Sequence, residues 1–209
     1  MIEGFRHLPG KLDDTAQRAL IAELKEMMLR APPYTPRMPR TGRPLSVQMT
    51  NCGALGWVSD QAKGYRYETC HPVTGAPWPA MPDCLLKLWR EVAAYPALPE
   101  ACLVNLYAAG ARMGSHADRD EADRLAPVVS ISLGNTAVFH VGGPRRDDPK
   151  QRVHLESGDV CVLAGPAREA YHGVDRVLAG TSRVLAASGV DAQRINLTLR
   201  RVSQPPGGG

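Results

Sequence analysis

No stretch of this chain approaches the uninterrupted apolar length of a membrane-spanning helix, so an integral membrane protein is not expected. Met1 to His7 contain neither a basic segment nor an apolar one, and no secretory leader is expected there. Cysteine is sparse: Cys52, Cys70, Cys84, Cys102 and Cys161 are odd in number and never spaced as CxxC. They read as reduced thiols of a cytoplasmic protein, and a zinc site built on them is not expected. Acidic residues are missing altogether between Glu26 and Asp60, where Arg30, Arg37, Arg40 and Arg43 are interleaved with five prolines. An arginine-bearing, irregular segment of this kind suits a polyanion such as nucleic acid, although a solvated loop explains it equally well. No internal repeat is present, and only Gly207 to Gly209 look low in complexity.

What is present fits a single domain over residues 1–209, able to bury a core without disulfides or metals as staples. Hydrophobic residues make up 44%, and the net charge of +4 is too small to name a partner by itself. Asp14 to Gln17 resemble a capping box ahead of Leu20, Leu24, Met27 and Met28, which predicts a helix from about Asp14 to Arg30. Residues 1–11 read as an extended lead-in, and 31–46 hold too many prolines for regular structure. Val47 to Thr50 are a candidate short strand. Asp83 is placed to cap a second helix with the apolar stripe Leu85, Leu88, Trp89 and Val92.

Beyond residue 101 the pattern changes to short β-prone runs separated by Gly, Pro and Asp. They are Cys102–Ala108, Val128–Leu133, Ala137–Val141, Arg152–Leu155, Val160–Leu163 and Ile195–Val202. Many short strands with turn signals predict a sandwich or barrel, of which the jelly roll is one form. The chain therefore divides into helices and an aromatic-bearing front part over residues 1–100, and a β core over 101–203.

Chemistry is concentrated between Asn105 and Asp123. His116 and Asp118 stand two apart in an extended stretch, so an imidazole nitrogen and a carboxylate oxygen can converge on one point. Neighbouring Asp120 and Glu121 suggest a calcium loop, but the glycine and terminal glutamate of an EF-hand are missing. His172 supplies a second imidazole from the end of the β core. Two histidines and one carboxylate with open positions are what a non-haem Fe(II) oxygenase requires. His140 and His154 lie in strand-like runs with no acid two residues on and read as structural, while His7 and His71 fall outside the β core.

Such an oxygenase needs an electron-donating co-substrate, commonly 2-oxoglutarate, whose carboxylate calls for a guanidinium fork. Alternation puts Arg194, Asn196, Thr198 and Arg200 on one face of the last strand and Ile195, Leu197 and Leu199 on the other. Two cations buried on a core strand need anionic partners, and a bound dicarboxylate provides them. An exposed edge strand is the alternative. Trp57, Tyr65 and Tyr67 lie close together beside the arginine loop, which raises a base-stacking surface above simple core covering.

These residues carry a family resemblance. Asn105-Leu-Tyr107, His116-x-Asp118-x-Asp120-Glu121, Gly142-Gly143, Gly158-Asp159-Val160, Tyr171-His172-Gly173 and Arg194-x-Asn196-x-Thr198-x-Arg200 resemble bacterial AlkB, the alkylated-nucleobase dioxygenase family. Met49 to Gly53, Leu55-Gly-Trp57, Gly64-Tyr65-x-Tyr67 and Pro77 to Pro82 continue the likeness, which runs in order from about Ser46 to Val202. The resemblance implies a mainly β (α+β) double-stranded β-helix with N-terminal helices and a nucleotide-recognition lid. It implies Fe(II) on His116, Asp118 and His172. It implies 2-oxoglutarate on Asn105, Tyr107, Arg194, Asn196 and Arg200, with O2 as second co-substrate. It places Trp57, Tyr65, Tyr67, Asp120 and Arg146 against the damaged nucleotide, Asp120 at the base edge and Trp57 stacked on the flipped base. Arg43 stands about where a lid tyrosine is expected, and Leu163 where the best-known member has a tryptophan near the iron.

The expected activity is oxidative demethylation of 1-methyladenine and 3-methylcytosine in single- or double-stranded DNA, or in RNA. It would release formaldehyde, succinate and CO2 and reverse the damage directly. A base in a duplex must be flipped out to reach a buried site. The rival readings are a 2-oxoglutarate oxygenase acting on protein or small molecules, and a metal-binding jelly roll without catalysis. A cytoplasmic monomer is expected.

Overall fold

The computed structural model describes residues 2–205; Gly207 to Gly209, singled out for low complexity, lie outside the described residues. Twelve strands and two α-helices are laid out as β1 (Phe5–Leu8), α1 (Asp14–Arg30), β2 (Gln48–Gly53), β3 (Gly56–Asp60), β4 (Gly64–Glu68), α2 (Asp83–Val92), β5 (Ala101–Tyr107), β6 (Met113–His116), β7 (Val128–Gly134), β8 (Ala137–Val141), β9 (Gln151–Leu155), β10 (Val160–Leu163), β11 (His172–Val177) and β12 (Arg194–Arg200). Six strands form one sheet in the order β1-β10-β7-β12-β5-β2, four form a second in the order β6-β11-β8-β9, and β3 and β4 make a separate hairpin. The registered pairs are antiparallel throughout these sheets.

Alternation along β12 sets the layers. Ile195, Leu197 and Leu199 are fully buried against α1 and α2, in one cluster with Leu20, Ile21, Leu24, Leu85 and Trp89. Each such side chain removed from water is worth roughly 1.5–3 kcal/mol, which fixes the helices on this face. Arg194, Asn196, Thr198 and Arg200 therefore point to the other side, between the two sheets. There a second cluster joins Met49, Leu103 and Val128 of the larger sheet to Phe139, Val141 and Val174 of the smaller. The result is the expected jelly roll, helices outside and a partly polar interior within.

Several boundaries differ from the sequence reading. The N-cap of α1 is Asp13, whose side chain accepts from the Ala16 amide at 2.8 Å. Gln17 instead turns its amide to the Leu12 carbonyl at 2.9 Å and accepts from Ser157, so no capping box forms. Pro82, not Asp83, stands at the N-cap of α2, and no side chain caps it; Asp83 acts only as a first-turn acid. The lead-in at residues 1–11 contains β1, and His7 is in the β core, bonded to the buried Asp159 at 2.8 Å. Since β1 and β2 are strands of the main sheet, the boundary at residue 100 is one of sequence and not of space. Residues 31–46 are irregular, held by isolated bridges such as Tyr34 with Met49 and by hydrogen bonds such as that from the Ser59 hydroxyl to the Arg37 carbonyl at 2.6 Å.

Candidate active site

Two strands without a β-type sequence pattern carry the histidines. β6 and β11 pair with His116 directly opposite His172, which brings their ring centroids to 4.5 Å. Asp118 follows in the loop leaving β6 and lies between them: its Oδ1 is 3.8 Å from His116 Nε2 and its Oδ2 is 3.8 Å from His172 Nε2. One ligand atom from each of the three residues lies within 4.8 Å of the others, and this is the one such cluster among the described residues.

The donor set suits a metal. His116 Nδ1 is 2.9 Å from the Gly114 carbonyl, and His172 Nδ1 is 2.9 Å from the Ala170 carbonyl. A carbonyl only accepts, so each Nδ1 carries the proton and each Nε2 presents a lone pair toward Asp118. Asp118 Oδ2 is buried with no hydrogen-bond partner, an orphan acceptor of the kind a cation satisfies. Burial alone would raise the Asp118 pKa, but Arg200, 2.8 Å away, together with His172 and His116 holds it well below the usual carboxylate range. Burial and the neighbouring His116 pull His172 down to about 4, against the pull of Asp118, so its ring is neutral at pH 7. A carboxylate and two imidazoles with open positions fit Fe(II).

A cavity of about 480 Å³ opens beside this cluster, with Asn105, Tyr107, Arg194, Asn196 and Arg200 in its wall. Arg194 is 1% exposed and has no acidic partner: it donates to the Ser132 hydroxyl at 2.8 Å and to the Asn135 and Leu155 carbonyls at 3.3 Å. Its Nε finds no partner, and burial lowers its pKa. A fully desolvated guanidinium bonded only to neutral groups is costly, and a dicarboxylate entering the cavity would supply the missing charge. Asn105 adds a second orphan, Oδ1, while its amide reaches Asn196 at 3.4 Å. The polar face of β12 is thus interior and not an exposed edge. The residues fit 2-oxoglutarate.

The mouth of the cavity is formed from β3, β4 and the loops around them. Trp57 and Tyr65 stack with ring centroids 5.4 Å apart and an interplanar angle of 24°, and Trp57 Nε1 donates to Asp120 at 2.8 Å. Asp120 and Arg146 line the same opening, and Arg146 donates to the Ser115 carbonyl at 2.8 Å with its guanidinium 5.1 Å from the Tyr171 ring centre. Tyr67 departs from the three-ring surface the sequence suggests. It lies behind the pair, and its hydroxyl is turned inward to Glu121 at 2.5 Å and Arg200 at 3.2 Å. Arg43 is exposed on the loop, and Leu163 is buried in the cavity wall.

Two buried charges are paired in a way the sequence does not indicate. Glu121, whose side chain is 0% exposed, pairs with Arg168 at 2.8 Å and Arg200 at 3.3 Å. Arg168 also donates to the Asp118 carbonyl at 2.7 Å and the Ala126 carbonyl at 2.9 Å. Glu121 had a faint signal as the last acid of the cluster after His116; Arg168, in a short 3-10 helix (Gly165–Glu169), had none.

Residues 4–200 match the family model described as the 2OG-Fe(II) oxygenase superfamily. The chain is 53% identical over 201 residues to an alpha-ketoglutarate-dependent dioxygenase AlkB homolog of Caulobacter vibrioides, covering 96% of this chain and 89% of the relative. It is 40% identical over 193 residues to alpha-ketoglutarate-dependent dioxygenase AlkB of Escherichia coli, covering 90% and 86%. Among solved structures, OsALKBH1 superposes with a TM-score of 0.83 at 30% identity, covering 96% of this chain and 98% of that one.

Proposed function

The chain belongs to the 2OG-Fe(II) oxygenase superfamily and, within it, to the AlkB dioxygenases, and from that premise we propose how its own residues divide the work. It is an Fe(II)- and 2-oxoglutarate-dependent dioxygenase that oxidatively demethylates alkylated nucleic acids. No helix among the described residues is long and apolar enough to cross a membrane. In our reading the substrate is DNA, or RNA, bearing 1-methyladenine or 3-methylcytosine. The observation that carries this is the Trp57–Tyr65 stack with Asp120 at the mouth of the cavity that holds the three-residue cluster.

His116, Asp118 and His172 would hold Fe(II), and Arg194 would take the distal carboxylate of 2-oxoglutarate with Asn105, Tyr107, Asn196 and Arg200 around it. When bound, Fe(II) with 2-oxoglutarate and O2 supplies the oxidation that converts the N-methyl carbon to hydroxymethyl, leaving succinate and CO2. The hydroxymethyl group then departs as formaldehyde and the base is restored. Trp57 and Tyr65 offer flat faces to a base rotated out of its stack, worth roughly 1–3 kcal/mol per stacked base. Asp120 offers a carboxylate to the edge of a methylated base, whose positive charge also favours the aromatic wall. Arg146, at the rim, suits a backbone phosphate. Tyr107 is buried, and burial pushes its hydroxyl up to about 12, so it stays a neutral donor throughout.

The test is a time course of formaldehyde release on defined 1-methyladenine and 3-methylcytosine oligonucleotides, single- and double-stranded, with Fe(II) and 2-oxoglutarate. Methylated oligonucleotide should stimulate succinate formation over the unmethylated control. Equal succinate formation on both would move the substrate to another class.

A further inference from the structure

Glu121 occupies a junction. Its carboxylate has no access to water and three partners, each on a different element: Tyr67 of β4 at 2.5 Å, Arg168 of the 3-10 helix at 2.8 Å and Arg200 of β12 at 3.3 Å. Both arginines go on to Asp118. Arg200 holds its carboxylate at 2.8 Å, and Arg168 holds its backbone carbonyl at 2.7 Å. One buried glutamate therefore ties together the two groups that fix Asp118 at its side chain and at its main chain.

Its third partner leads outward. Tyr67 stands directly across the β3–β4 hairpin from Trp57, and Trp57 in turn donates to Asp120 at 2.8 Å. The hairpin that carries the stacking rings is thus fastened to the 118–121 segment at two adjacent points, Asp120 and Glu121. Glu121, the inner end of this contact, is buried, and Tyr67 is half-buried. Two carboxylates, Asp118 and Glu121, balance two guanidinium groups, Arg168 and Arg200, in a region of low dielectric, so no member can shift without leaving a charge under-paired.

We propose that Glu121 is a positioning residue that couples the nucleotide-side hairpin to the 2-oxoglutarate-side Arg200. Movement of the hairpin on a bound nucleotide is transmitted through the Tyr67 hydroxyl to Glu121, and from there to the guanidinium that faces the co-substrate. The coupling is reciprocal by thermodynamic necessity: nucleotide changes the affinity for 2-oxoglutarate by the same factor as 2-oxoglutarate changes the affinity for nucleotide. Arg168 sets the fixed reference in this arrangement, since all its contacts are to buried acceptors. The inference rests on the functional reading above.

The experiment is calorimetry on the Mn(II)-loaded protein, a redox-inert substitute that allows binding without turnover. The dissociation constant of a methyladenine oligonucleotide is measured with and without saturating 2-oxoglutarate. The two constants should differ by roughly fivefold or more, the lower end of ordinary coupling energies. The ratio should fall to about one in Glu121→Gln, which keeps the shape and removes the charge. It should also fall to about one in Tyr67→Phe, which keeps the ring in place and removes only the hydroxyl link. Should Glu121→Gln fail to fold, Tyr67→Phe carries the test alone. A purely structural role would weaken folding and both affinities but leave the ratio intact. A ratio of one in the native protein, or a ratio that survives either substitution, overturns the coupling. An oligonucleotide that does not bind under either condition overturns the functional reading and the coupling with it.

Discussion

His116 and His172 stand opposite each other across the β6–β11 pairing, and each binds through Nδ1 to the carbonyl two residues before itself, Gly114 and Ala170, at 2.9 Å. The pairing sets the distance between the rings, and the two carbonyls set which nitrogen is free. Both Nε2 lone pairs thereby turn toward Asp118 without any contribution from a metal.

This arrangement leaves no room at Gly173. A Cβ there would sit 2.6 Å from the Met113 carbonyl oxygen and 3.0 Å from that of Gly114, both rigid main chain. Gly173→Ala should displace β6 and the carbonyl that orients His116. We expect Mn(II) affinity, measured by calorimetry, to fall roughly 10- to 100-fold, the usual cost of losing an outer contact to a metal ligand. Native affinity would show that the strand adjusts freely.

Arg194 should be worth more to the co-substrate than to the fold. Arg194→Met should raise the KM for 2-oxoglutarate roughly 10- to 100-fold, as the loss of a charged hydrogen-bonding partner predicts. The same substitution should leave the ligand-free protein at least as stable toward urea, because it removes a buried cation that has only neutral partners. An unchanged KM would place the carboxylate anchor elsewhere.

The metal-free protein should lose stability on mild acidification. His172 titrates near 4 in the fold against 6.5 when unperturbed, so between these values the unfolded chain binds the extra proton. Stability therefore falls as pH is lowered from about 6.5 toward 4, by an amount on the order of 3 kcal/mol at 1.36 kcal/mol per pKa unit. Asp118, whose folded pKa is depressed, adds to the loss only below the ordinary carboxylate range. Urea midpoints from pH 7.5 to 4.5 give the slope, and His172→Gln should flatten it. A slope that persists in that variant would assign the proton to another group.

Trp57 contributes a face and a donor, and the two separate by substitution. Trp57→Ala should weaken binding of a methylated oligonucleotide by roughly 1–3 kcal/mol, about 5- to 150-fold, by fluorescence anisotropy. Trp57→Phe should retain most of the stacking while releasing Asp120 from the 2.8 Å contact. Equal affinity in the Ala variant would remove Trp57 from the binding surface.

The sequence by itself determined most of the frame. Hydrophobic periodicity places α1 and α2 and the apolar stripe Leu85, Leu88, Trp89 and Val92, because burial of one helical face is a local pattern. Alternation in β12 separates Ile195, Leu197 and Leu199 from the polar face that lines the cavity, because strand side chains obey a period of two wherever the strand pairs. The residues of the metal cluster were also legible, since two imidazoles and a carboxylate are a chemical type before they are a place.

Tertiary structure decided the rest. β6 (Met-Gly-Ser-His) and β11 (His-Gly-Val-Asp-Arg-Val) lack a β-type apolar pattern and exist because neighbouring strands hold them; only that pairing sets His116 against His172. The cap of α1 moved to Asp13 because Gln17 found partners at Leu12 and Ser157, the latter far away in the chain. Tyr67 left the stacking surface because Glu121 and Arg200 lie beneath it. Glu121 and Arg168 bear no mark of burial in the sequence, since a charge can enter the interior only where a distant opposite charge meets it. Periodicity is written along the chain, but the pairing of buried charges is a property of the space between segments.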